Sequence, residues 1–287
     1  MPRGGNRSGF ALAPSPEGAR LGTNCSGFAL APSAGVARLL RPMRIGILSD
    51  IHSNLEALTE VLSALDKHRT DLRVCLGDVV GYGASPNECC ALVRQHCQVV
   101  LLGNHDAAVA GRMEYGFYYD AARHALDWTA SRLAPEHLEW LKTLPYDHLV
   151  ESVGFSHGNP VDPAAFEYVF AMEQAYELLP RAAKLPEVSF LGHSHLCKTF
   201  ALHGGDEVHE VLASRFTLRR GGYKYVVSVG SVGQPRDCDN RAGFVIFDTD
   251  KRIVEFHRVP YDIESSAQKI FDADLALNFG KRLFLGV

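Results

Sequence analysis

Three apolar runs of strand length, separated by two helical stretches, constrain the fold of this chain more than any other feature of its sequence. Arg44-Ile-Gly-Ile-Leu-Ser49 reads as a short buried strand, and Asn54 to Leu65 repeats apolar residues at helical spacing. Leu72 to Leu76 reads as a second strand. Ser85 and Pro86 then supply an N-cap and first-turn proline for a helix through Gln95, and Gln98 to Leu102 reads as a third strand. Alternation of this kind implies a parallel sheet with helices outside it. A helical stretch from about Ala121 to Leu144 follows. Strand candidates then become denser, at Val153–Ser156, Val188–Leu191, Lys198–Leu202, Tyr223–Val229, Gly243–Phe247 and Ile253–Val259, and Tyr261-Asp262 can cap a last helix through Phe271. No linker interrupts the chain after Pro42. The expected architecture is therefore α/β, a four-layer α/β/β/α sandwich of two packed mixed sheets flanked by helices.

Residues 1–42 read differently. Ser8-Gly-Phe-Ala-Leu-Ala-Pro-Ser15 recurs letter for letter at Ser26 to Ser33, in surroundings rich in Gly, Pro, Ser and Arg and without periodicity. This is a low-complexity extension, and the folded domain is expected to span 43–287. Met43 suits an initiator, with the upstream stretch a translated repeat; an Arg-rich, acid-poor targeting peptide is the competing reading. The formal net charge of −4 excludes a basic module gripping nucleic acid but not a small phosphate-bearing substrate. Seven cysteines without a CxxC pair suit a reducing, cytoplasmic setting, and no apolar run reaches the ~20 residues of a membrane span. A homo-oligomer is left open.

Chemistry is concentrated where the strands stop. Asp50 and His52 follow the first strand, Asp78 the second, Asn104-His105-Asp106 the third, His157 a fourth, and His193 and His195 a fifth. In α/β sheets the C-terminal strand ends converge on one edge, where sites form. Carboxylate, imidazole and amide oxygen suit Mn, Fe, Zn or Ni, and the absence of cysteine among them argues against a structural zinc cluster. The pairs Asp50/His52 and His193/His195 stand two residues apart. If locally extended, each pair points to one side and can serve one metal or two neighbouring ones. The remaining histidines carry no such pattern and are read as ordinary polar residues.

Ser49-Asp50-Ile51-His52, Leu76-Gly77-Asp78, Gly103-Asn104-His105-Asp106, Ser156-His157-Gly158 and Gly192-His193-Ser194-His195 resemble, in order and spacing, the five motifs of the calcineurin-like metallophosphoesterase superfamily. Ser231 to Asp237 further resembles a motif of its small bacterial and archaeal phosphodiesterase branch. The resemblance implies two divalent transition metal ions, with Asp50, His52 and His195 on one, Asn104, His157 and His193 on the other, and Asp78 bridging. His105 is then left for catalysis. It implies attack by a hydroxide that the two metals activate, with His105 as imidazolium stabilising the phosphoryl oxygens or protonating the departing alkoxide.

Arg236 reads either as a phosphate clamp or as part of a surface turn, and Tyr82 either as pocket lining or as packing in a Gly-rich loop. The phosphoprotein phosphatases of the superfamily extend the second motif with a carboxylate and an arginine, where this chain has Gly81-Tyr82-Gly83. The leading expectation is hydrolysis of small phosphodiesters. Phosphoprotein or phosphomonoester hydrolysis is second, and a non-catalytic scaffold of the same fold, which would have lost catalytic groups, is third.

Overall fold

A computed structural model of the protein describes residues 42–287; the reading of the N-terminal extension, Pro42 apart, lies outside them. The chain begins with β1 (Arg44–Leu48), α1 (Leu55–Lys67), β2 (Leu72–Cys75), α2 (Pro86–His96) and β3 (Val99–Val100). Three helices follow, α3 (Asn104–Val109), α4 (Asp120–Arg132) and α5 (Pro135–Thr143). The second sheet opens with β4 (Asp147–Val150) and β5 (Val153–Ser156), then α6 (Met172–Glu177), β6 (Val188–Leu191), β7 (Cys197–His203) and β8 (Glu207–Glu210). The chain continues through β9 (Arg215–Thr217), β10 (Lys224–Val229), β11 (Ala242–Asp248) and β12 (Ile253–Val259) to α7 (Ile263–Asp272) and α8 (Leu277–Leu285).

These strands make two six-stranded sheets, ordered β3-β2-β1-β11-β12-β9 and β4-β5-β6-β10-β7-β8. Both are mixed: β1, β2 and β3 run parallel, as do β5, β6 and β10, while the outer partners are antiparallel. Period-two alternation on β1 sends Ile45 and Ile47 to the face between the sheets, where they join Val74, Phe247, Phe155, Phe190 and Val227. Leu48 joins the opposite face, under Leu58, Val61 and Leu65 of α1. On the far side of the second sheet, Ala175 and Leu178 cover Phe200, Leu202 and Val226. The expected four-layer sandwich is the observed one. Each fully buried Leu, Ile, Val or Phe contributes roughly 1.5–3 kcal/mol of transfer free energy to holding the layers together.

Several local expectations need correction. The helix expected over Ala121–Leu144 is two helices, because Pro135 biases the residue before it towards extended backbone; Leu133 and Ala134 have ψ of 128° and 144°. The third strand is shorter than Gln98–Leu102, since the Leu102 N–H donates to Pro145 O at 2.8 Å and leaves the ladder. Ser85 precedes α2 but its side chain makes no cap bond, so Pro86 alone marks that start. Asp262 does cap α7, accepting from Ser265 N, but α7 is not the last helix. Among the described residues no helix is long and apolar enough to cross a membrane.

Candidate metal centre

The loops leaving β1, β2, β5 and β6, together with the start of α3, bring all eight sequence-predicted groups to one edge of the sandwich. The route is not the one the spacing suggested. Asp50, His52 and His193, His195 are not in extended segments: their φ values are 55°, 49°, 66° and 60°, and Asp78 has 51°. Left-handed backbone is uncommon outside glycine and costs of order 1–3 kcal/mol at a strained residue, so five of eight site positions in this region mark an edge shaped for chemistry rather than stability. The surrounding loops tolerate such turns because neighbouring glycines give way. A Cβ on Gly103 would lie 2.1 Å from Asp78 Oδ1, and one on Gly192 would lie 2.0 Å from Ser49 Oγ and 2.8 Å from Asp50 Oδ2.

Three histidines are aimed by the backbone. His52, His157 and His195 each place Nδ1 against a carbonyl oxygen, of Val80 (3.2 Å), Leu76 (3.0 Å) and Gln234 (2.6 Å) respectively. A carbonyl can only accept, so each Nδ1 carries a proton and each Nε2 is the atom turned towards the cluster, with a lone pair whenever the ring is neutral. Those Nε2 atoms converge. His52 Nε2 lies 3.1 Å from His195 Nε2, and His195 Nε2 lies 3.4 Å from Asp50 Oδ1. His157 Nε2 lies 3.1 Å from Asn104 Oδ1 and 3.4 Å from Asp78 Oδ2, while Asp78 Oδ2 is also 3.6 Å from His52 Nε2. Two of the ligand-capable groups are thus Asp50 with His52 and His195, and Asp78 with His157 and His193; within each, the donor atoms lie within 4.8 Å of one another. Asp78 faces both. The donor set fits two divalent ions: oxygen and imidazole nitrogen, buried, with lone pairs crowded together and no bulky group between them.

Burial sets the protonation of the site. It pushes Asp50 up to about 7, against the pull of His157. Burial acts the same way on Asp78, but His157, His105 and His52 around it prevail and hold it well below the carboxylate range. His157 shows the reciprocal effect: burial opposes its charge, yet the Asp78 carboxylate raises it to about 9. Burial drives His52 and His195 well below the usual imidazole value and His193 down to about 3, which favours the neutral, ligating form.

His105 stands at the wall of this cluster, with its backbone N–H donating to Asp78 Oδ1 at 2.8 Å. Its Nδ1 is buried without a hydrogen-bond partner, and the Tyr82 ring lies 4.4 Å away, centre to centre. The missing carboxylate after the second motif is therefore visible as a missing bond. Burial lowers His105 to about 4, against the pull of Asp78. His105 also lies within ligand distance of His52 and Asp78.

Tyr82 packs against the site, and Arg236 is tied to it by its backbone N–H, which donates to His195 O at 3.3 Å. Tyr82 is buried between His52 (4.6 Å) and Phe279 of α8 (4.8 Å). Arg236 is half-buried, donating from Nη2 to Gln234 Oε1 at 3.0 Å, with an unpartnered Nε. Sequence reading missed other groups. Asp106 accepts from the N–H groups of Val79 (3.2 Å), Val80 (3.1 Å) and Gly103 (3.1 Å), tying the second and third motifs together. Tyr168 stacks on His193 at 3.8 Å and 12°, and Asn104 Nδ2 donates to Tyr118 Oη at 2.5 Å. The aromatic run Tyr115-Gly-Phe-Tyr-Tyr119, outside any periodic element, was the available signal.

Two packed mixed sheets with a histidine and carboxylate cluster at their strand ends define a candidate metallohydrolase. The model of the calcineurin-like phosphoesterase family matches residues 43–230, and the chain belongs to that family. Membership implies hydrolysis of phosphate esters. An uncharacterized protein of Methanocaldococcus jannaschii is 37% identical over 248 residues, which cover 84% of this chain and 98% of that protein. A metallophosphoesterase of Sphaerobacter thermophilus has a similar structure, with a TM-score of 0.73 and 36% identity, covering 86% of this chain and 100% of that one. A hypothetical protein of Pyrococcus horikoshii shares the fold, with a TM-score of 0.68 and 19% identity over 85% of this chain and 98% of that one.

Proposed function

We propose that the protein hydrolyses small phosphodiesters, with two divalent ions held by Asp50, His52, Asp78, Asn104, His157, His193 and His195. The observation that carries this reading is the cavity beside the cluster. It measures about 530 Å³, and its wall holds His105, Asn104 and His193 with Phe117, Tyr118 and Tyr168 but neither lysine nor arginine. A phosphomonoester near neutral pH bears close to two charges, and a phosphoprotein site answers them with arginine. A diester bears one, and its second arm needs an uncharged wall of the kind these rings provide.

Asp50, His52 and His195 would hold one ion and Asn104, His157 and His193 the other, with Asp78 placed to serve both. The ions would neutralise charge on the phosphoryl group and supply an activated water. His105 lines the cavity, where an N–H of its ring donates to a phosphoryl or departing oxygen. Once protonated from solvent, the ring would pass that proton to the leaving alkoxide and return to its neutral form. Tyr82 and Phe279 pack the loop that carries this ring.

The test is a panel of bis(p-nitrophenyl) phosphate, p-nitrophenyl phosphate and a phosphoserine peptide, run with defined Mn, Fe, Zn or Ni, with His105→Ala and Asp78→Asn as controls. The diester is expected to be turned over fastest, and His105→Ala to lose about 10²–10⁴-fold in rate while keeping its metal. Preference for a monoester sinks the diester reading. Wild type no faster than the two controls sinks catalysis altogether, and metal loss from His105→Ala makes that residue a ligand instead.

A further inference from the structure

A second cavity of about 670 Å³ shares Tyr82, Tyr119 and Tyr168 with the first but differs in charge. Its cations are Arg236, from the loop after β10, and Lys281 and Arg282, from α8. Asn278, Lys281, Arg282 and Leu285 all line it, at positions i, i+3, i+4 and i+7, and so form one stripe of the helix facing the opening. Phe279 and Leu283 anchor α8 inward, in the cluster that contains Tyr82 and Ile270. The apolar contacts that fix the helix therefore also fix where its cations sit.

The two α8 cations are unspent. Among the described residues neither Lys281 nor Arg282 makes an ion pair or side-chain hydrogen bond, although the chain carries more acidic than basic residues. Arg236 keeps its buried Nε without a partner. One cavity is thus aromatic beside the ligands, and the next, across a tyrosine wall, is lined by two α8 cations that, among the described residues, have no ion pair of their own.

From this juxtaposition we infer that the cavity under α8 is a second anion subsite, and that the substrate is a phosphodiester bearing an aromatic ring and a further phosphate on the same molecule. The ring lies among the tyrosines, and the distal phosphate meets Lys281, Arg282 and Arg236. A nucleotide-type diester with a terminal phosphate has this chemistry. The inference rests on the phosphodiester reading for the scissile bond, but the distal contact can be measured without turnover.

The probes are two dinucleotides differing by one group, ApA and its 5′-phosphorylated form pApA, titrated against Mn-loaded His105→Ala protein by calorimetry. The expectation is roughly tenfold tighter binding of pApA at low salt, from contacts to charged but partly exposed groups. That ratio should shrink as salt rises and fall towards one when Lys281→Ala and Arg282→Ala are combined on the same background. Lys281→Glu, at an exposed position, should invert it without risk to folding. Equal binding of the two probes, or a ratio that the α8 substitutions leave unchanged, overturns the subsite. Failure of the underlying reading looks different: wild type would leave bis(p-nitrophenyl) phosphate intact, while the pApA to ApA ratio would still decide whether the distal phosphate is recognised.

Discussion

Asp106 holds no proposed ligand position, yet Asp106→Asn should damage the metal centre. Its Oδ2 accepts from Val79 N at 3.2 Å and Gly103 N at 3.1 Å, and its Oδ1 accepts from Val80 N at 3.1 Å. An asparagine has one acceptor oxygen. Placed at the Oδ2 position it preserves two bonds and turns an NH₂ group towards the Val80 N–H, so a donor meets a donor in a fully buried site. One backbone N–H loses its acceptor, and leaving a buried donor unsatisfied costs about 1–3 kcal/mol. The carboxylate's charge assistance is lost as well, although burial raises Asp106 to about 7 and limits that part. About 2–3 kcal/mol of stability should disappear. The same three bonds fix the backbone carrying Asp78, Asn104 and His105, and Val80 O receives the His52 proton, so metal affinity should fall about 10–100-fold. Urea unfolding of chelated protein measures the first effect, and competitive metal titration the second. A loss below about 0.5 kcal/mol together with unchanged metal affinity would refute the claim that Asp106 locks the two loops.

Two further outcomes follow from the same geometry. Gly192→Ala places a methyl group against Ser49 Oγ and Asp50 Oδ2, so it should cost about 1–3 kcal/mol and displace Asp50, read as weakened metal binding; an unaltered metal stoichiometry and affinity would show that the loop yields freely. Removal of metal by a chelator should lower the melting temperature, because ions that bind only the folded cluster stabilise it by about 2.7 kcal/mol at a hundredfold excess over Kd; an identical melting curve with and without Mn, Fe, Zn or Ni would count against an ion site.

How much was legible in the sequence varies with the range of the interactions involved. β1, α1 and β2 were readable because each is set by local periodicity, and the polar residues that end the strands were readable because such ends converge in an α/β sheet. Short edge elements were not. β8 and β9 have little apolar alternation to announce them and exist because β7 and β12 offer a free edge. α3 is six residues long and starts at Asn104, inside what reads as a loop motif. α8 carries an apolar face that α4, α7 and the Tyr82 loop complete.

The site divides in the same way. Order and spacing of the motifs holding Asp50, His52, Asp78, Asn104, His157, His193 and His195 were enough to carry the resemblance to the calcineurin-like phosphoesterases, a family to which the chain belongs. The conformation that unites them was not, since a left-handed backbone at Asp50, His52, Asp78, His193 and His195 violates local preference and is held there by contacts from distant glycines and carbonyls. The unpartnered Nδ1 of His105, the locking role of Asp106 and the meeting of Tyr82 with Phe279 likewise depend on burial and on partners far along the chain. Sequence by itself determined the chemistry available to this protein. The tertiary structure alone decided which groups are dry, which proton each imidazole keeps and which cations are left unpaired, because all three depend on neighbours that the chain brings together only by folding.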